Sequence, residues 1–279
     1  MNKKYLQKIF LICVTLFYFA SYAYSKEMAT NIKEEIVTYK CGDVTLKGFV
    51  AYDANFQGKR PVVLVVHEWW GLNDYAKMRA RKLAELGYFA MAVDMFGDGK
   101  IASNPKEAQE FTTLFYKDPA QAKTRMDAAM KKVKDFPQAD QDNVAAIGYC
   151  FGGFIVLNDA KLGAGLKGVV SFHGGLGGVP VDKKLLKAAI LICHGGSDKF
   201  VPQQDIDALK HNLDSIGANY SFKVYANATH AFTNPDATKV GKQFNMPIEY
   251  NAEADHDSWN DMKLFLTRIF VKKTGPVSR

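Results

Sequence analysis

Cysteine is scarce in this chain of 279 residues, which carries only Cys13, Cys41, Cys150 and Cys193. No two are spaced as C-x-x-C, which excludes thioredoxin-like exchange. The six histidines include no H-E-x-x-H or H-x-H pair, so a zinc-binding helix has no donors and neither metal nor cofactor is implied. Long apolar runs are missing too. A membrane span needs ~20 residues, and the longest run here, residues 9–20, falls short. Charge of one sign is in slight excess at +7, too little to argue for a nucleic-acid partner. The cluster Lys131-Lys132-Val133-Lys134 reads as the solvated face of a helix. Internal repeats, low-complexity stretches and a composition shift that would mark a second domain are all absent.

The first 25 residues do contain a secretory pattern. Lys3, Lys4 and Lys8 precede the apolar run, and Ser21-Tyr22-Ala23 or Ala23-Tyr24-Ser25 offers small residues for cleavage. Residues 1–25 are therefore expected to be a removed signal peptide and the protein to act in the periplasm. The remaining residues, 26–279, carry +4 and suit one α/β domain without a membrane span, expected to be a monomer. Three cysteines in an oxidising compartment leave at least one free thiol. Cys41 and Cys193 are open to pairing, although Cys193 inside an apolar run also reads as a buried core thiol.

Strand and helix patterns alternate along the chain. Residues 34–39 and 44–52 read as an antiparallel pair turning at Cys41-Gly42-Asp43. Residues 61–66, Pro-Val-Val-Leu-Val-Val, form the continuous apolar run of a strand buried on both faces. Further strands are expected at 89–94, 143–147, 167–172, 189–193 and 220–225. Helices are expected at 74–86, 105–116, 119–136, 154–162, 203–216 and 251–271. Pro105 and Pro119 stand where a helix start tolerates the missing N–H. Trp259, Met262, Phe265, Leu266 and Phe270 recur at helical spacing as a core stripe. The alternation predicts a mostly parallel central sheet with helices on both faces.

Gly148-Tyr149-Cys150-Phe151-Gly152-Gly153 lies between a strand pattern and a helix pattern. Glycines two before and two after a central residue are the mark of a nucleophile elbow, here with a thiol. A thiol at a helix N-terminus also faces aligned N–H groups that favour thiolate. Buried core cysteines are common, so the pentapeptide gains meaning only from an acid and a base placed downstream of it. Asp198 ends an apolar strand in the turn Gly195-Gly196-Ser197-Asp198, and His230 comes after the strand at 220–225. Nucleophile, acid, histidine is the α/β-hydrolase order. Each comes directly after a strand, so the three are expected at the C-terminal edge of one sheet.

These motifs, with His67-Glu68-Trp69-Trp70-Gly71 and His230-Ala231-Phe232, resemble the dienelactone hydrolase family from about residue 33 to 270. The resemblance implies an α/β-hydrolase fold, a Cys150–His230–Asp198 triad and hydrolysis of a small-molecule ester or lactone. It implies that the N–H groups of Phe151 and Trp69 form the oxyanion hole. It also implies that Glu68 gates the nucleophile by contacting the resting thiol, the alternative being a glutamate that caps the following helix. Members that take the anionic dienelactone bind its carboxylate with arginines, one of them four residues after the catalytic histidine. Here that position is Asn234, and no arginine lies between Arg81 and Arg125. A neutral or apolar ester is expected instead, in a pocket walled by Trp69, Trp70, Phe115, Tyr116 and Phe151.

The remaining histidines read as structural. The run His173-Gly174-Gly175-Leu176-Gly177-Gly178 reads as a flexible loop, and the sequon Asn227-Ala228-Thr229 is expected to stay unglycosylated beside His230. Two other functions keep a place: a binding or sensor protein whose thiol no longer turns over, and thiol redox activity, for which no resolving cysteine stands nearby.

Overall fold

The structure is a computed structural model that describes residues 30–271; the expected signal peptide lies outside the described residues. Eight strands form one sheet. They are β1 (Ile32–Cys41), β2 (Val44–Asp53), β3 (Arg60–Val66), β4 (Phe89–Val93), β5 (Ala139–Tyr149), β6 (Gly168–Phe172), β7 (Ala189–Gly195) and β8 (Tyr220–Tyr225). Their spatial order is β1-β2-β4-β3-β5-β6-β7-β8. The β1–β2 and β2–β4 pairs are antiparallel and the rest parallel, as the α/β pattern predicts. Val62 to Val66 are wholly buried between two helical layers. Burying each such side chain stabilises the fold by about 1.5–3 kcal/mol, so β3 is a fixed base for the loop after it.

The described helices are α1 (Asp74–Glu85), α2 (Pro105–Lys117), α3 (Pro119–Val133), α4 (Phe151–Lys161), α5 (Gln203–Ser215), α6 (Ala237–Phe244) and α7 (Ala252–Phe270). Asn73, Asn104 and Asp118 cap α1, α2 and α3 by accepting a backbone N–H at the first turn. Pro105 and Pro119 sit at the expected helix starts. The residue before α4 departs from this habit: the Cys150 side chain makes no capping bond, so its sulfur is not spent on the helix.

Two features differ from the sequence reading. Strand β5 begins at Ala139 rather than 143, because Arg60 and Pro61 pair with Ala139 and Asp140 before the register shifts to Val62 and Val144. Helix α6 had no counterpart among the expected elements. Cys41, Cys150 and Cys193 are all free thiols. Cys41 on β1 and Cys193 on β7 stand six strand positions apart, about 29 Å at ~4.8 Å per strand. A disulfide needs Cα atoms within about 7 Å, so the possible Cys41–Cys193 pairing is ruled out. Cys193 is instead a buried core thiol, its pKa pushed up to about 12 by desolvation.

Candidate active site

The elbow is built by crowding. Cys150 takes φ +53°, ψ −113°, a conformation that side chains rarely adopt. A Cβ on Gly148 would come 2.0 Å from Gly152 O, and one on Gly152 would come 2.2 Å from Val66 O. Both obstacles are backbone, so the two glycines let the turn close and α4 press on the end of β3. As first residue of α4, Phe151 has an N–H with no intrahelical acceptor.

Asp198 stands in the turn after β7 and His230 in the loop after β8. His230 Nδ1 donates to Asp198 Oδ2 at 2.8 Å. The other carboxylate oxygen accepts the Phe200 N–H, also at 2.8 Å, so the acid is held from two sides. Cys150 borders the same cavity as His230, close enough for its charge to act on the ring. Burial alone would lower the His230 pKa. The charge on Cys150 and the bond to Asp198 outweigh it and push the value up to about 10. The three residues that the sequence pattern singled out thus meet at one sheet edge.

Cys150 and His230 open into a cavity of about 660 Å³ bounded by Glu68, Trp69, Trp70, Tyr116, Phe200 and Ile248 among others. Trp69, Trp70 and Tyr116 line it as expected. Phe115 does not: it is 3% exposed and packs on Phe96 and Phe151 within the core. The pocket assignment of Phe115 is corrected accordingly. The Phe151 ring is likewise buried, enclosed by His67, Phe96, Phe115 and Tyr116. Phe151 is not among the residues that line the cavity, and its assignment to the pocket wall is corrected with that of Phe115. Lys117 is the one lysine among the lining residues, which include no arginine.

Glu68 comes just after β3 and is almost wholly buried. Its Oε2 accepts from Asn234 Nδ2 at 2.6 Å. The α1 cap is Asn73, so the helix-cap alternative for Glu68 does not hold. Desolvation raises the Glu68 pKa to about 7, although the Asn234 bond and the charges of His230 and Arg79 act against it. His67, at the end of the same strand, is a buried wall residue. It is kept neutral chiefly by desolvation, which lowers its pKa to about 4.

Three parts of the site escaped the sequence reading, one of them a pair of residues. Phe200 lies with its ring centroid 5.0 Å from that of His230 and its side chain half exposed at the cavity. Met246 and Ile248, just past α6, complete the wall, and Ile248 forms an isolated bridge with His230. His173 is the third. The stretch read as a flexible loop is anchored: His173 is buried and hydrogen-bonded at both ring nitrogens. Asn158 further holds Gly177 O and the Val179 N–H. The only available signal was the histidine's place at the end of a strand beside the elbow.

Comparison with known proteins agrees with this geometry. The model of the dienelactone hydrolase family matches residues 46–270. A Methylorubrum extorquens protein named "Putative carboxymethylenebutenolidase" is 31% identical over 217 residues, covering 74% of this chain and 71% of that protein. The crystal structure of a dienelactone hydrolase-like promiscuous phosphotriesterase from metagenomic libraries superposes with a TM-score of 0.80 at 33% identity. It covers 85% of this chain and 98% of that one. An Aquifex pyrophilus protein named "Protein usf" is 27% identical, covering 86% and 98% of the two chains. With the α/β-hydrolase sheet, the elbow and these relatives in hand, the chain belongs to the dienelactone hydrolase family and is a hydrolase.

Proposed function

We propose that this hydrolase uses Cys150 as a thiol nucleophile on uncharged carboxylic esters or lactones. The observation that carries the reading is the His230 ring, hydrogen-bonded to Asp198 and bordering the same cavity as the strained Cys150. The thiolate attacks the carbonyl carbon, forming a C–S bond and moving the carbonyl electron pair onto oxygen. The N–H groups of Phe151 and Trp69 receive that oxyanion. Donors of this kind are each worth about 2.7–4 kcal/mol in the transition state. On collapse the C–O bond breaks and His230 gives its proton to the leaving alcohol. Water deprotonated by His230 then attacks the thioester, releases the acid and returns the thiolate. Asp198 holds His230 in the tautomer that both steps need.

Glu68 acts as the gate. It contacts the resting thiol and is displaced when substrate enters, the Asn234 amide being the partner that holds the displaced carboxylate. A cavity with aromatic walls, one lysine and no arginine favours neutral substrates. The relative described as a promiscuous phosphotriesterase adds neutral aryl phosphotriesters as a class to assay. The leader at residues 1–25 exports the protein to the periplasm, where it works as a monomer. Fractionation that finds the protein in the cytoplasm with an N-terminus at residue 1 would remove the export reading. A light-scattering mass of twice the chain would remove the monomer.

The deciding experiment is Cys150→Ala assayed on neutral and anionic aryl esters and lactones. Hydrolysis is expected to vanish for the neutral esters that the parent prefers. Retained turnover would end the thiol mechanism. A stoichiometric burst by the parent without further release would mark a binding or sensor protein instead.

A further inference from the structure

Beneath the cavity, buried hydrogen bonds run from the nucleophile's own backbone to the C-terminal helix. The Cys150 N–H donates to Phe172 O at 2.9 Å and to His173 Nδ1 at 3.1 Å. His173 Nε2 meets Thr233 Oγ1 at 2.7 Å, and Thr233 Oγ1 meets Tyr75 OH at 2.6 Å. Arg79 Nε donates to Tyr75 OH at 3.3 Å, while Arg79 Nη2 donates to Thr233 O and Asp255 Oδ1, each at 2.5 Å. All five side chains are buried. The chain links four separate parts of the fold: the elbow, the loop three residues past His230, α1 and α7.

Donor accounting sets the state of the ring. A backbone N–H can only donate, so His173 Nδ1 must be a bare acceptor. A neutral imidazole then carries its proton on Nε2, where the Thr233 hydroxyl accepts it. A protonated ring would set N–H against N–H. The charged or titratable neighbours are His230, Arg79, His194, Tyr75 and Tyr149. Burial, His230 and Arg79 all disfavour a second proton on the ring.

The elbow's backbone explains why it needs such a fastening. A non-glycine residue at φ +53° is strained, and it persists only where its surroundings over-determine it. His173 itself sits at φ +42°, so the anchor is strained in turn and held by Thr233. The His173 ring lies edge-on to His230, with centroids 5.3 Å apart, and it does not border the cavity.

We infer that His173 is a positioning residue. Locked by Thr233 in its Nε2–H tautomer, it fixes the Cys150 peptide and, through it, the direction of the sulfur and of the Phe151 N–H. Tyr75, Arg79 and Asp255 brace Thr233 in turn. The inference rests on the proposed role of Cys150 as the nucleophile.

The test compares Thr233→Val, which is nearly isosteric but lacks the hydroxyl, with Thr233→Ser, which keeps it. Misplacing a reacting group by 1 Å can cost about 100-fold. A partly loosened elbow is accordingly expected to lower kcat about tenfold in Thr233→Val. KM for a neutral aryl ester should stay within about twofold, and Thr233→Ser should restore kcat. Nitrogen-15 spectra of His173 in the parent should show the neutral Nε2–H tautomer without titration over about pH 5 to 8; Thr233→Val should move it toward Nδ1–H. Alkylation of Cys150 by iodoacetamide should slow in Val and recover in Ser. His173→Phe should lose kcat as Thr233→Val does, and should it fail to fold, the Thr233 pair still decides.

Unchanged kcat and alkylation in Thr233→Val, or a parent His173 that titrates or carries its proton on Nδ1, would overturn the inference. If Cys150→Ala retains hydrolysis, it is the thiol mechanism that fails. The His173 spectrum and the alkylation rates still judge the positioning role.

Discussion

Glu68 is buried against a side-chain amide, not against a guanidinium. Asn234 stabilises the carboxylate by one hydrogen bond and brings no charge, so desolvation prevails and the pKa rises to about 7. That direction sets the sign of its contribution to stability. Below an unfolded pKa near 4.5, both states hold the proton and Glu68 has no effect on the pH dependence. Between about 4.5 and 7 the folded protein keeps a proton that the unfolded chain has released, so stability falls as pH rises. Glu68→Gln cannot titrate. Relative to the parent it should gain on the order of 3 kcal/mol between about pH 4 and pH 8, read as a rising difference in melting temperature. A difference that stays flat with pH would mean that the glutamate titrates in the fold as it does in the unfolded chain. The residue scale is also where the sequence was least readable. Phe115 and Tyr116 are neighbours on α2, yet one faces the core and the other the cavity. Consecutive helical residues point about 100° apart, and which face packs inward depends on α4, which the α2 sequence does not contain.

Among elements, β3, β5 and α4 act as one device. The tip of β3 touches α4 through Gly152, where an added Cβ would stand 2.2 Å from Val66 O and 2.7 Å from His67 O. Gly152→Ala must therefore push α4 away from the strand that carries Glu68 and Trp69. Overpacking of this kind costs about 1–3 kcal/mol. The expected outcome is a lowered melting temperature and a loss of kcat larger than the change in KM. An alanine variant with parental kcat would show that the helix and strand need no such close approach. This motif was legible because its steric demand leaves a glycine at each fixed offset. The order of Cys150, Asp198 and His230 was legible too, since each comes after an apolar strand. Helix α6 was not: it has only eight residues, too short a run for its helical period to stand out from the loops around it. His173 escaped for another reason, its partners Cys150 and Thr233 lying 23 and 60 residues away. No local pattern encodes a bond of that span.

At the scale of the whole molecule, the sheet order disposes the cysteines. Cys150 alone among the three described thiols borders the cavity, while Cys193 is enclosed and Cys41 turns its sulfur to the Thr124 carbonyl on α3. Nothing in the described fold is held by sulfur–sulfur linkage, although the expected destination is an oxidising one. Stability comes instead from the packed faces of the sheet, which do not respond to redox conditions. Melting curves with and without dithiothreitol should therefore coincide, and a drop of several degrees in the reductant would reveal a bridge. The practical consequence is freedom of handling. The working thiol can be shielded from peroxide and air during purification by ordinary reducing agents, and the scaffold around it gives up nothing in return.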